Sequence, residues 1–214
     1  MSLSTLTTDK PVIVFDFGGV LLDWNPRYLY RKLFPGDESA MERFLVEIGF
    51  AEWNHRQDAS LCPFSEAIAG LCARHPQYCD LIRAYDERFP ETLGGAIQGS
   101  VEILQRLRKT GFSLFGLSNW SFEKFHLVRP TYKFFDWFQG MVISGEVKLI
   151  KPDPRIFQVL LERIGRPAAE CLFIDDAPAN IAVAQSLGFQ TIHFHDPLQL
   201  EAELTSRGLL PVLP

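Results

Sequence analysis

The 214-residue sequence has no apolar run approaching the ~20 residues that a membrane span requires. Its first ten residues lack a basic-then-apolar leader pattern. Both absences point to a cytoplasmic protein without a membrane partner. Positive charge is not in excess: 21 Lys+Arg against 26 Asp+Glu leaves a net charge of −5. A mildly acidic chain is poorly suited to nucleic acid, which demands a basic face. Cysteine is scarce, and the four present (Cys62, Cys72, Cys79 and Cys171) include no C-x-x-C pair. Cys72, His75 and Cys79, with Cys62 upstream, match no standard zinc spacing, and Pro76 breaks the helix that would align them. The cysteines therefore read as reduced, mostly packed thiols. Internal repeats and low-complexity segments are missing too. The remaining composition, 47% hydrophobic and 22% charged, is that of a globular chain long enough for one core domain with a modest insertion.

The most informative stretch is Val12-Ile13-Val14-Phe15-Asp16-Phe17-Gly18-Gly19. Four apolar residues, mostly β-branched, run into an aspartate and then into two glycines. Such a run bounded by a turn signal reads as a buried central strand. In an open α/β sheet the carboxyl ends of the strands form the ligand crevice, which places Asp16 at its edge. A turn residue or helix N-cap is the other reading of this aspartate.

Residues 26–94 then change character. Pro26 can start a helix, and RYLYRKLF, MERFLVEIGF and FSEAIAGLCARH carry helix-like apolar spacing. No strand pattern appears until about residue 113, so this is a helical insertion too long for a simple crossover. Gly94, Gly95 and Gly99 mark the return to the core. From there a helix over Val101–Lys109, a strand over Ser113–Leu117, a short helix near Ser121 and a strand over Met141–Ile143 follow in order. A helix from Pro154 to Gly165, a strand over Cys171–Ile174, a helix from Pro178 to Leu187 and a strand over Thr191–Phe194 complete the alternation. A last helix is capped by Asp196 with Pro197 at its first position. The pattern predicts an α/β fold with a doubly wound, mostly parallel, Rossmann-like sheet. Residues 11–25 and 95–214 form the core, and 26–94 form a helical cap inserted after the first strand.

Three strand ends carry polar residues: Asp16, Ser118-Asn119, and Asp175-Asp176, with Lys151 in a loop between the last two. Parallel strands gather these groups on one edge. Each alone has a bland reading, as a helix cap or a solvated loop lysine. Together, three carboxylates and an ammonium suit a hard divalent cation such as Mg²⁺. A hydroxyl, an amide and strand-end N–H groups at Ser118 and Asn119 suit an oxyanion. Lys151 can neutralise a phosphoryl group or hold an attacking carboxylate ionised.

The set FDFGGVLLD, GLSN, KPDPRIF and FIDDAPANI, in that order, resembles the haloacid dehalogenase superfamily of hydrolases, over about residues 12–195. The helical insertion matches that superfamily's cap. The resemblance implies that Asp16 is a nucleophile forming an aspartyl-phosphate, and that Ser118 and Asn119 bind the transferring phosphoryl group. It implies that Lys151 stabilises the charge of that group and of Asp16. It also implies that Asp16, Asp176 with Asp175 beside it, and the Gly18 carbonyl hold Mg²⁺. The expected substrate is a small phosphorylated metabolite such as a sugar phosphate, hydrolysed by a monomer or homodimer.

One departure stands out. Phosphatases of the superfamily usually carry a second aspartate two residues after the nucleophile as general acid and base, whereas here that position is Gly18. A sugar-1-phosphate phosphatase subgroup resembles this chain in that respect. Asp23 and His55 are the candidate substitutes, and Trp24 with the segment Trp53–Asp58 is expected to choose the substrate. A metal-independent 2-haloacid dehalogenase, which also lacks the second aspartate, and a non-catalytic phospholigand-binding protein stand as alternatives. The crowding of Asp175 and Asp176 argues against the dehalogenase, because uncompensated carboxylates would repel an anionic substrate.

Overall fold

Residues Val12–Phe15 form the first strand, β1, and all of them are buried. They send their side chains alternately to two hydrophobic layers: Ile13 and Phe15 into one, Val12 and Val14 into the other. A strand with two apolar faces belongs in the middle of a sheet covered on both sides. β1 is the central strand in the computed structural model, which describes residues 10–211. The stretch 1–9, where the leader reading applies, and residues 212–214 of the expected core lie outside the described residues.

The remaining strands are β2 (Leu22–Trp24), β3 (Leu93–Ala96), β4 (Leu114–Ser118), β5 (Gly140–Ile143), β6 (Cys171–Asp175) and β7 (Gln190–His193). The main sheet has the order β5-β4-β1-β6-β7, with every pairing parallel. After β1 the chain builds outward through β4 and β5, then returns to the other side of β1 for β6 and β7. The strand order therefore reverses beside β1, and the crevice opens at the carboxyl ends of β4, β1 and β6.

Helices α1 (Arg27–Leu33), α2 (Glu38–Glu47), α3 (Phe50–Asp58), α4 (Phe64–Arg74) and α5 (Cys79–Glu87) lie between β2 and β3. They make the cap. After β3 come α6 (Gln98–Lys109), α7 (Phe122–Val128), α8 (Ser144–Val147), α9 (Pro154–Ile164), α10 (Pro178–Ser186) and α11 (Pro197–Ser206). α9 and α10 cover one face of the sheet with Ile156, Phe157, Leu160, Ile181 and Ala184. α6 and α11 cover the other with Ile103, Leu104, Leu107, Leu200 and Leu204. Local chemistry sets these helix starts. Asp153 accepts from the Arg155 N–H ahead of α9, and Asp196 from the Gln199 N–H ahead of α11, each with proline in the first turn.

The doubly wound parallel sheet is as the sequence predicts, with boundaries displaced by one to three residues at some ends. Two strands escaped the sequence reading. β2 and β3 pair antiparallel where the chain leaves and re-enters the core, with an irregularity between Asp23 and Trp24. β3 reads Leu-Gly-Gly-Ala, too short and glycine-rich for a strand pattern. Its glycine is required by packing: a Cβ at Gly94 would collide with the carboxylate of Asp23 and the ring of Tyr28.

The cysteine reading is corrected. α4 stops at Arg74, and the turn Pro76–Tyr78 brings Cys79 back beside Cys72, at a Cα separation of 4.6 Å. The two sulfurs are joined in a disulfide, while Cys62 and Cys171 are free thiols. The proline that breaks a zinc-binding helix is what makes this pairing possible. Among the described residues, no helix is long and apolar enough to cross a membrane.

Candidate active site

Asp16 follows β1 directly, so the strand aims its carboxylate into the crevice. Its Oδ1 accepts from the Phe17 N–H at 2.6 Å, and its Oδ2 lies 3.0 Å from the Lys151 ammonium. Phe17 is locked below it: its ring packs edge-on to Phe135 and Phe138, with centroids 5.0 and 5.4 Å away. A Cβ at Gly116 on β4 would run into that ring, which explains a glycine inside a buried strand.

Lys151 is buried and its ammonium has acceptors on three sides: Asp16 at 3.0 Å, Asp175 Oδ2 at 2.7 Å and the Leu117 carbonyl at 2.9 Å. Burial works against its charge, but Asp16 and Asp175 outweigh that and hold the lysine above its ordinary range. Burial also pushes Asp16 up to about 7, with Lys151 pulling down and Asp175 and Asp176 pushing further up. The negative charge at this edge thus exceeds what a single ammonium compensates.

Asp175 and Asp176 are adjacent yet do different things. The Asp175 carboxylate is fully buried and already accepts from Lys151, from the Ala177 N–H at 2.8 Å and from Asn180 Nδ2 at 2.9 and 3.1 Å. It positions the lysine. Asp176 is exposed, and its carboxylate lies against the main chain of Gly19, where a Cβ would collide with it. Burial and then Asp175 raise its pKa, while Lys151 lowers it. Oxygens of Asp16, Asp175 and Asp176 all lie within 4.8 Å of one another. Oxygen-only donors at this spacing, with unbalanced negative charge, fit Mg²⁺. The two carboxylates with capacity to spare are Asp16 and Asp176.

Ser118 ends β4 and is buried at the crevice. Asn119 lines the same pocket, but its side-chain amide is engaged: Nδ2 donates to the Lys151 carbonyl at 2.9 Å, and Oδ1 accepts from the Lys151 N–H at 2.8 Å. Gly18 forms part of the wall with its α-carbon open to space, since a Cβ there meets no atom within 4 Å.

Above these groups, between core and cap, lies a pocket of about 80 Å³. Trp24, Phe64, Tyr85, Phe89 and Trp120 give it an aromatic wall, and Asn54 and Asp58 supply polar groups. Tyr85 is buried, which raises its phenol well above the usual range and keeps it neutral. It donates to Asn54 Oδ1 at 2.7 Å. Of the segment Trp53–Asp58, the structure brings only Asn54 and Asp58, four residues apart on one face of α3, to the pocket. Trp53 and Gln57 are packed inside the cap, and His55 and Arg56 are exposed. Asp23 is turned away into a 2.6 Å hydrogen bond from the Tyr28 hydroxyl. In the sequence Asp58 is only one of the six residues of that segment, and the helical spacing from Asn54 was the signal that could have singled it out.

The model of the haloacid dehalogenase-like hydrolases matches residues 10–188. The chain is 26% identical to a sesquiterpene phosphatase of Aspergillus oryzae over 92% of its own length and 96% of that protein. It is 24% identical to a D-ribitol-5-phosphate phosphatase of Bacteroides thetaiotaomicron, over 90% and 96%. A crystal structure of a family enzyme from Bacteroides thetaiotaomicron, in complex with magnesium and inorganic phosphate, superposes with a TM-score of 0.66. That likeness covers 87% of this chain and 95% of the other at 25% identity. A match that runs from before β1 to the end of α10 takes in every strand-end residue described above, and by it the chain belongs to the haloacid dehalogenase-like hydrolase family.

Proposed function

We propose that the chain is a magnesium-dependent phosphomonoesterase that works through a covalent intermediate on Asp16. The observation that carries this reading is the convergence of Asp16, Asp176 and the Asp175–Lys151 pair at one sheet edge. In this reading Asp16 and Asp176, with the Gly18 carbonyl, hold the cation, which supplies charge neutralisation for the phosphoryl oxygens. Asp175 keeps Lys151 in place rather than binding metal, since its oxygens are already taken. An Asp16 oxygen attacks phosphorus and displaces the alkoxide, and water then cleaves the acyl phosphate to regenerate the carboxylate. Lys151 stabilises the charge on Asp16 and on the phosphoryl group, which Ser118 and the strand-end main chain at Asn119 contact.

Charge supports this reading over a metal-free dehalogenase. Three carboxylates against one ammonium would repel the carboxylate of a 2-haloacid, whereas a cation makes the same edge a phosphate site. The pocket is small and aromatic, so the organic part of the substrate needs an apolar or flat face. A sugar phosphate stacked on Trp24 and a short prenyl monophosphate both meet that requirement.

The test is release of phosphate from p-nitrophenyl phosphate with and without Mg²⁺, beside halide release from 2-chloropropionate. Phosphate release that chelator abolishes, and that Asp16→Asn lacks while remaining folded, is expected. Halide release that persists in chelator would overturn the reading.

A further inference from the structure

An oxygen leaving phosphorus must collect a proton, and two residues beyond Asp16 there is only Gly18, with no side chain to deliver one. Asp23 is hydrogen-bonded to Tyr28, and His55 is exposed and does not line the pocket. A different acidic residue lines it. Asp58, the last residue of α3, lines the pocket together with Gly18, Ser118 and Asn119. Among the described residues, none donates a hydrogen bond to its carboxyl group.

That group comes from the cap, yet the core fixes its place. Ser144 Oγ at the start of α8 donates to the Asp58 carbonyl at 2.6 Å and accepts from the Trp120 N–H at 2.8 Å. Two residues on, Ser60 Oγ accepts from the Phe122 N–H at 2.8 Å, and the Ser60 carbonyl accepts from the Lys148 ammonium. Trp120 follows Asn119 directly. The end of α3 is therefore tied to the strand end that carries Ser118 and Asn119, which is the precision a proton donor needs.

Resting on the phosphatase reading, we infer that Asp58 is the general acid and base of this site, carried by the cap in place of the missing residue at position 18. In the first step the Asp16–phosphorus bond forms as the phosphorus–alkoxide bond breaks, and the Asp58 proton passes to the leaving oxygen. In the second, water attacks phosphorus, its proton passes to the Asp58 carboxylate, and the Asp16–phosphorus bond breaks to release phosphate. Protons and electron pairs balance over the cycle. Burial first, then the charge of Asp16, raise Asp58 well above its ordinary range, with Lys151 pulling the other way. Tyr85, whose hydroxyl feels the charge of Asp58, is itself held neutral by burial.

The experiment compares leaving groups. In wild type with saturating Mg²⁺, kcat/KM for an alkyl phosphate and for p-nitrophenyl phosphate is measured, then repeated in Asp58→Asn and Asp58→Ala. The expected result is a loss on the order of 10²–10⁴-fold for the alkyl phosphate. For p-nitrophenyl phosphate, whose leaving group needs no proton, kcat/KM changes only a few-fold. That substrate should also show a burst of p-nitrophenolate, because the second step has lost its base. Adding Gly18→Asp to Asp58→Asn restores part of the alkyl phosphate rate, as the space at Gly18 admits a side chain. Equal losses on both substrates, or no loss on either, in whichever replacement folds, would overturn the assignment. A wild-type protein that releases phosphate from neither substrate overturns the phosphatase reading itself, and this inference with it.

Discussion

Asn119 and Lys151 grip each other through two hydrogen bonds, both between the Asn119 side chain and the Lys151 main chain, at 2.9 and 2.8 Å. The strand end and the lysine loop are 32 residues apart in sequence, yet this pair fixes where the ammonium starts from. Removing it in Asn119→Ala leaves the Lys151 N–H and carbonyl without partners, at a cost of about 1–3 kcal/mol. The expected outcome is a fall in kcat larger than any change in KM, together with a lower melting temperature. Asn119→Asp keeps the acceptor but sets an oxygen against the Lys151 carbonyl and adds charge to a crowded edge, so its loss should be at least as large. Equal kinetics in wild type and Asn119→Ala would show that the clamp does not position Lys151.

Lys151→Met keeps the length of the side chain and removes its charge, leaving Asp16 and Asp175 buried and facing each other. Stability at neutral pH should fall by about 3–5 kcal/mol. The sign of its pH dependence follows from Asp16, which burial already raises to about 7 and which rises further without the ammonium. A carboxyl group with a raised folded-state pKa destabilises the folded state above its unfolded-state value, and that penalty disappears on protonation. The gap in melting temperature between the variant and wild type should therefore narrow as pH falls from 7 towards 4. A gap that widens on acidification contradicts the account.

Gly19 has φ +75°, and a Cβ there would collide with the Asp176 carboxylate. Gly19→Ala should cost about 1–2 kcal/mol from backbone conformation alone. It should also weaken Mg²⁺ binding by displacing Asp176. Gly18→Ala, whose Cβ meets nothing within 4 Å, should melt close to wild type. Calorimetric unfolding of the two variants, with Mg²⁺ titrations, separates these outcomes.

Crowded carboxylates at one edge predict stabilisation by the cation. Mg²⁺ at 100 times its dissociation constant should stabilise the folded chain by about 2.7 kcal/mol, read as a rise in melting temperature that EDTA reverses. Asp176→Asn should lose most of that rise. In the reading that gives Asp175 to Lys151, Asp175→Asn should lower the melting temperature in the absence of metal more than Asp176→Asn does, because it breaks the buried ion pair. The reverse order would make Asp175 the metal ligand.

The sequence alone determined the parallel sheet and its loaded edge. Apolar runs ending in Asp16, Ser118-Asn119 and Asp175-Asp176 have one physical solution when helices alternate with them, and that solution places those residues on one side. Proline and aspartate at the starts of α9 and α11 fixed those helices locally. Tertiary structure decided the rest, because the rest depends on contacts distant in sequence. β2 and β3 are strands only because they pair with each other. Cys72 and Cys79 meet only because the turn at Pro76–Tyr78 folds back. Asp175 and Asp176 are indistinguishable neighbours in sequence, but β6 ends on the first and buries it against Lys151, while the second lies just past the strand and is exposed. Asp58 is one of six consecutive candidates in the sequence. The 3.6-residue turn of α3, and a serine on α8 that grips its carbonyl, select it for the pocket.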